Sequence, residues 1–298
     1  MNPTAAIPSS IEIPMSLLDR EEYIEQAYFF RAFHERLDEN LPSQEILSGI
    51  REEILATTKL PMAIDVLRGE LMHSGRICGG MSHLAHYFAP FQAFVMARAE
   101  EDRSKFDQRI ALQVLEREAK YRAETPSPPG LFVFQFECIA RNRLGYHDGM
   151  AAMAADPLFD EDWRNWILKA RTQLGSVEFA DLIYYRSEAY VEERRRTAGP
   201  DYAPSSRILF GRQEGRIARA NRGKDPLYLF GALQRQLGYP AVPRSKSARE
   251  LQLPPLLEQR LQRLEKRLQL VEAESQGKLD LTEFYANPPQ FTDDDPAL

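Results

Sequence analysis

The residues best suited to chemistry fall in two stretches, around 70–86 and 207–224. In the first, Glu70 and His73 form a Glu-x-x-His pair, and residues three apart share one face of a helix. His83 and His86 repeat that spacing a turn later. Carboxylate and imidazole together suit zinc or a mid-row transition metal. Helical di-metal proteins carry such a pair on each of two helices, whereas this chain shows one pair, and no further ligand for the two later histidines is identifiable. Glu70, His73, His83 and His86 are therefore a candidate metal group, and surface histidines near a turn are the plainer explanation. Between them, Arg76, Gly79 and Gly80 precede a helix start, where backbone N–H groups can take an anion. The Lys-Ser/Thr of a phosphate loop and a dinucleotide fingerprint are both missing.

The second stretch is basic. Arg207, Arg212, Arg216, Arg219, Arg222 and Lys224 are opposed only by Glu214 and Asp225, with Tyr202, Phe210 and Tyr228 close in sequence. If the segment is helical, Arg212, Arg216 and Arg219 lie on one face. Arginines neutralise phosphates and aromatic rings stack on bases, so Arg212, Arg216, Arg219 and Arg222 are candidate nucleic-acid contacts. The competing explanation is internal. Residues 186–250 carry a net charge of +7, the first 185 residues −9 and the last 48 −4, so the basic segment could pair with the chain's own acidic body. A net charge of −6 and a pI near 5.6 argue against general attraction to nucleic acid. Upstream, Arg194, Arg195 and Arg196 close a helix, where cations favour the dipole and need no ligand.

Other chemistries find less support. There is no Gly-x-Ser-x-Gly elbow, and no carboxylate pair stands out from the many that 28% charged residues produce. No cofactor is expected. Cys78 and Cys138 stand alone among apolar neighbours, which fits small buried side chains in a reducing compartment. Met1 is followed by prolines rather than a signal pattern. The apolar run Tyr87–Ala97 is too short for a span of roughly 20 residues. A cytoplasmic protein without a membrane segment is expected.

The elements that must position these residues are helices. Ile24, Tyr28, Phe33 and Leu37 recur at helical spacing behind Ser16 and Asp19, predicting a first helix of about 22 residues. Ile46, Ile50 and Ile54 mark a second, and Ile64, Leu67 and Leu71, opened by Pro61, a third that ends near Gly75. Ser82 is an N-cap candidate for a long helical run toward Glu124, with a kink or break near 86–90 forced by Pro90. Thr125–Gly130 is the clearest internal break, between two subdomains or only two helices. Residues 131–136 fit helix or strand and lean to helix, and 207–210 is the other place a strand could intrude. Helices follow near 147–155, 160–174 and 178–196, then from Pro226 to Gly238. From Pro255, Leu257, Leu261, Leu264, Leu268 and Val271 alternate at steps of four and three, a short seam for packing or self-association.

The sequence thus predicts an all-α, bundle-like protein. Its parts are a disordered arm (1–14), an N-terminal helical body (15–124), a Pro-rich break (125–130) and a second helical part (131–196). A basic region with a short helix (197–250), a C-terminal amphipathic helix (251–285) and an acidic disordered tail (286–298) follow. The function it favours is a non-enzymatic helical interaction or scaffold protein with a protein partner or self-association. The alternatives are a nucleic-acid-associated protein using 207–224 and a metal-dependent enzyme using 70–86.

Overall fold

Helix starts are set by side-chain caps and first-turn prolines. Asp107, Ser127, Asp160, Ser187 and Asp225 each accept a backbone N–H two or three residues on, satisfying donors that have no partner inside the helix. Pro61, Pro90, Pro128 and Pro226 occupy first turns, where a missing N–H costs nothing. Gly75 and Gly238 end two helices in the left-handed conformation, φ 74° and 70°, which glycine adopts without strain.

The structure is a computed structural model that describes residues 18–102 and 106–244. Among these residues there are thirteen α-helices and no strand, only two isolated bridges. The first six are α1 (Arg20–Asp38), α2 (Ser43–Glu53), α3 (Leu60–Ser74), α4 (Cys78–His83), α5 (Pro90–Ala99) and α6 (Gln108–Ala123). Then come α7 (Pro128–Asn142), α8 (Tyr146–Ala154), α9 (Glu161–Gln173) and α10 (Phe179–Tyr184). Last are α11 (Glu188–Ala198), α12 (Arg212–Ala220) and α13 (Pro226–Leu237). The most extensive pairing is α1 along α6; α8 packs on α5, α7 and α9, and α13 packs on α7. One apolar core runs from Leu18 to Tyr239. The Pro-rich break thus joins two helices that share this core.

The core is aromatic and includes one buried ionic group. Phe132 on α7 meets Trp163, Trp166, Phe179 and Phe210 at centroid distances of 4.8–6.1 Å. Nearby, Glu118 and Arg122 on α6 form an i,i+4 pair at 2.8 Å, and Arg122 also pairs with Asp156 in the turn after α8. Gln135 of α7 donates to Glu118 at 2.8 Å, and Asp156 accepts the Leu158 N–H at 3.1 Å. All four side chains are buried. Burial works against the Arg122 charge, and the Asp156 and Glu118 carboxylates more than reverse it.

Several expectations need correction. The first helix begins at Arg20, with Asp19 at its N-cap position, and Ser16 lies outside the described residues. Its buried face is Tyr23, Phe29, Phe30 and Phe33, while Ile24 is 42% exposed. Several apolar stripes coexist on this helix, and its partners choose among them. Ser82 lies inside α4, donating to the Cys78 carbonyl at 3.0 Å. The long run toward Glu124 is broken twice: at Pro90 as expected, and again after Ala99, where Asp107 restarts the chain. Residues 178–196 form two helices, parted by the turn that brings Leu209 and Phe210 to the Arg186 carbonyl at 2.9 and 3.1 Å. The strand considered at 207–210 amounts to a single bridge between Ser187 and Phe210. The arm 1–14, the seam Leu257–Val271 and the tail 286–298 lie outside the described residues.

Candidate interaction face

The 70–86 stretch spans the end of α3 and all of α4. His73, His83 and His86 are exposed, and none makes a hydrogen bond or ion pair among the described residues. Glu70 is half-buried against α4, where a Cβ on Gly79 would fall 2.9 Å from its Oε1. Gly79 and Gly80 therefore let α4 approach α3. Among the described residues no three His, Cys, Asp or Glu side chains are grouped to hold a metal ion. The N-terminus of α4 does take an anion, but the anion is the chain's own. The Glu100 carboxylate, at the end of α5, accepts the Ile77 and Cys78 N–H groups at 2.9 Å each. Burial first, and the same Glu100 next, push the Cys78 thiol up to about 11.

Arg212, Arg216 and Arg219 lie on α12 and Arg222 in the turn after it, and most of the row is internally neutralised. Arg212 pairs with Glu192 and Arg219 with Glu193, both on α11. Arg222 pairs with Asp181 of α10 and stacks on Tyr184, 4.4 Å from its ring centre. Further along, Arg207 donates to Asp160 at the start of α9, at 2.6 Å. Glu193 also accepts the Tyr184 hydroxyl; that bond and Arg219 hold its carboxyl below the ordinary range. Gly215 makes this docking possible: a Cβ there would collide with the Ser187 side chain and the Ala189 Cβ at the start of α11.

Arg216 is the member of the row left over. It is exposed, forms no ion pair among the described residues, and lines a cleft of about 100 Å³ with Tyr184, Arg196, Glu192 and Glu193. On α11 itself, Arg194, Arg195 and Arg196 are exposed and likewise form no ion pair among the described residues. Arg194 stacks 5.4 Å from the Tyr202 ring centre, and Arg195 donates to the Tyr202 carbonyl at 3.3 Å. Tyr185 is 51% exposed and packs edge-on to Tyr190 at 5.3 Å. Tyr185, Tyr190 and Tyr202 line a second cleft of about 210 Å³, with Arg186 and Ser187. Sequence reasoning assigned Arg194–Arg196 to the helix dipole and chose Arg212, Arg216, Arg219 and Arg222 instead, of which Arg216 alone forms no ion pair among the described residues. The acidic partners of that row are 20–41 positions away (Glu192, Glu193 and Asp181) and become visible only once the helices are docked. The cluster Tyr184, Tyr185, Tyr190 beside three consecutive arginines was the available signal. A separate uncovered surface lies on α3, where Met62 and Val66 are exposed.

The chain matches no known protein family, and neither a curated protein nor a solved structure is detectably similar to it. No helix among the described residues is long and apolar enough to cross a membrane.

Proposed function

We propose that this is a non-enzymatic helical interaction protein that docks an acidic protein partner on the face built by α10, α11 and the 199–208 loop. One contrast carries this reading. Arg212, Arg219 and Arg222 have carboxylate partners inside the fold, whereas Arg194, Arg195, Arg196 and Arg216 form no ion pair among the described residues, and Arg194 stacks on Tyr202, which shares a cleft with exposed Tyr185. Tyrosine and arginine are the residues enriched at protein interfaces and at their energetic centres. A nucleic-acid footprint would be a continuous basic stripe, and here Glu192 and Glu193 interrupt it.

The test is a photo-reactive side chain in place of Tyr185, with a second one at Met62 as a control, in the full chain expressed in its native cells. A discrete protease-sensitive adduct is expected at 185 and not at 62. It should vanish when Arg194, Arg195 and Arg196 are changed to Glu, and weaken with added salt. A nuclease-sensitive adduct at 185 would overturn the protein-partner reading in favour of nucleic acid, and no adduct would overturn both.

A further inference from the structure

A groove of about 460 Å³ opens between α7, α8, α13 and the turn that joins α9 to α10. Its floor is the parallel stack of Phe136 and Phe179, 3.9 Å between centroids and 2° between planes. Tyr146 approaches Phe136 at 5.5 Å and Phe230 approaches Phe179 at 5.8 Å, forming two walls. The volume lies within the range of small-molecule sites, which are mostly apolar with a few placed polar groups.

One lining residue is out of keeping with the rest. Arg171, near the end of α9, makes no hydrogen bond or ion pair among the described residues, and its Nε is shielded from solvent without an acceptor. The neighbouring polar side chain, His147, is engaged by Asp148 at 3.0 Å. A shielded guanidinium N–H without a partner is unfavourable. Its planar fork matches a carboxylate in two-point geometry, and charge-assisted bonds of this kind are strong.

We propose that this groove binds a small organic carboxylate with a flat apolar body, its carboxylate taken by Arg171 and its body packed against Phe179 and Tyr146. This site shares only Phe179, at the start of α10, with the elements of the proposed docking face, and needs no protein partner. Titration calorimetry of the full chain with 2-naphthylacetate, and with the neutral 2-naphthylacetamide, tests it. The acid is expected to bind with Kd below about 1 mM, the amide about tenfold more weakly. The ring signals of Tyr146 and His147 should shift as the acid is added. R171Q should bind both compounds equally weakly, with R171K keeping part of the preference. Equal binding of acid and amide to the wild-type chain, shifts confined to other residues, or no binding at millimolar acid would each overturn the proposal. The wild-type comparison decides even where R171Q fails to fold.

Discussion

At the scale of single residues, Arg122 is the side chain on which the interior most depends. It is the cation for two buried carboxylates, Glu118 and Asp156. Arg122→Met would leave both carboxylates without it, and removing one partner of a buried ionic set costs about 3–5 kcal/mol. Chemical denaturation should record a loss of that size. The double variant with Glu118→Gln should lose less than the sum of the two single losses, because the residues act as one unit. Cys78 offers a pH-dependent reading of its own. With its thiol raised to about 11 from 9.0, folding favours the neutral form. That contribution is complete below about 9 and is lost as pH rises toward 11. Iodoacetamide at pH 8 should therefore label Cys78 slowly, since only about one thiol in a thousand is ionised there. Glu100→Gln removes a charge that raises the thiol, and should speed the labelling.

At the scale of elements, the α11–α12 contact is where backbone proximity and charge pairing coincide. Gly215→Ala forces a methyl into Ser187 and Ala189, and overpacking of this kind costs about 1–3 kcal/mol. The same shift would separate Arg212 from Glu192 and Arg219 from Glu193, so amide exchange should quicken in α12 before it does in α6. The elements also mark how much the sequence disclosed. Pro61, Gly75, Pro226 and Gly238 fixed helix ends correctly because proline and glycine act locally, whatever surrounds them. The buried face of α1 was misread because the helix carries apolar residues on more than one side: Ile24 and Phe33 point in roughly opposite directions, and only docking against α6 shows which is buried. The second break, after Ala99, was hidden because Glu100 ends α5 while holding backbone groups 22 and 23 positions away. Arg212, Arg216 and Arg219 fell on one helix, yet Arg216 could be recognised as the unpaired one only once Glu192, Glu193 and Asp181 were placed against the rest of the row.

At the scale of the whole molecule, residues 238–243 form a strap that returns from α13 to the earlier helices. The Tyr239 hydroxyl donates to Glu137 at 2.7 Å or to the Phe230 carbonyl at 3.0 Å. Arg117 of α6 donates to the Ala241 carbonyl, and Asn142 of α7 donates to that of Pro243 at 3.0 Å. The strap therefore secures α6, α7 and α13 together. A chain ending at Leu237 should melt about 5–10 °C below one ending at Ser245, taking about 2–4 °C per kcal/mol for this size. Differential scanning calorimetry of the two chains checks this, and equal melting temperatures would show that the strap is not needed.

The strap also sets a schedule for a nascent chain. Asn142 and Pro243 are 101 residues apart, and synthesis proceeds at about 5–20 residues per second. For roughly 5–20 seconds, then, α7 exists without the side chains of Phe230 and Tyr239 that later cover Phe134 and Phe136. During that interval its aromatic face is open to whatever is nearby, so the ribosome-bound chain is the form most exposed to chaperones and to aggregation.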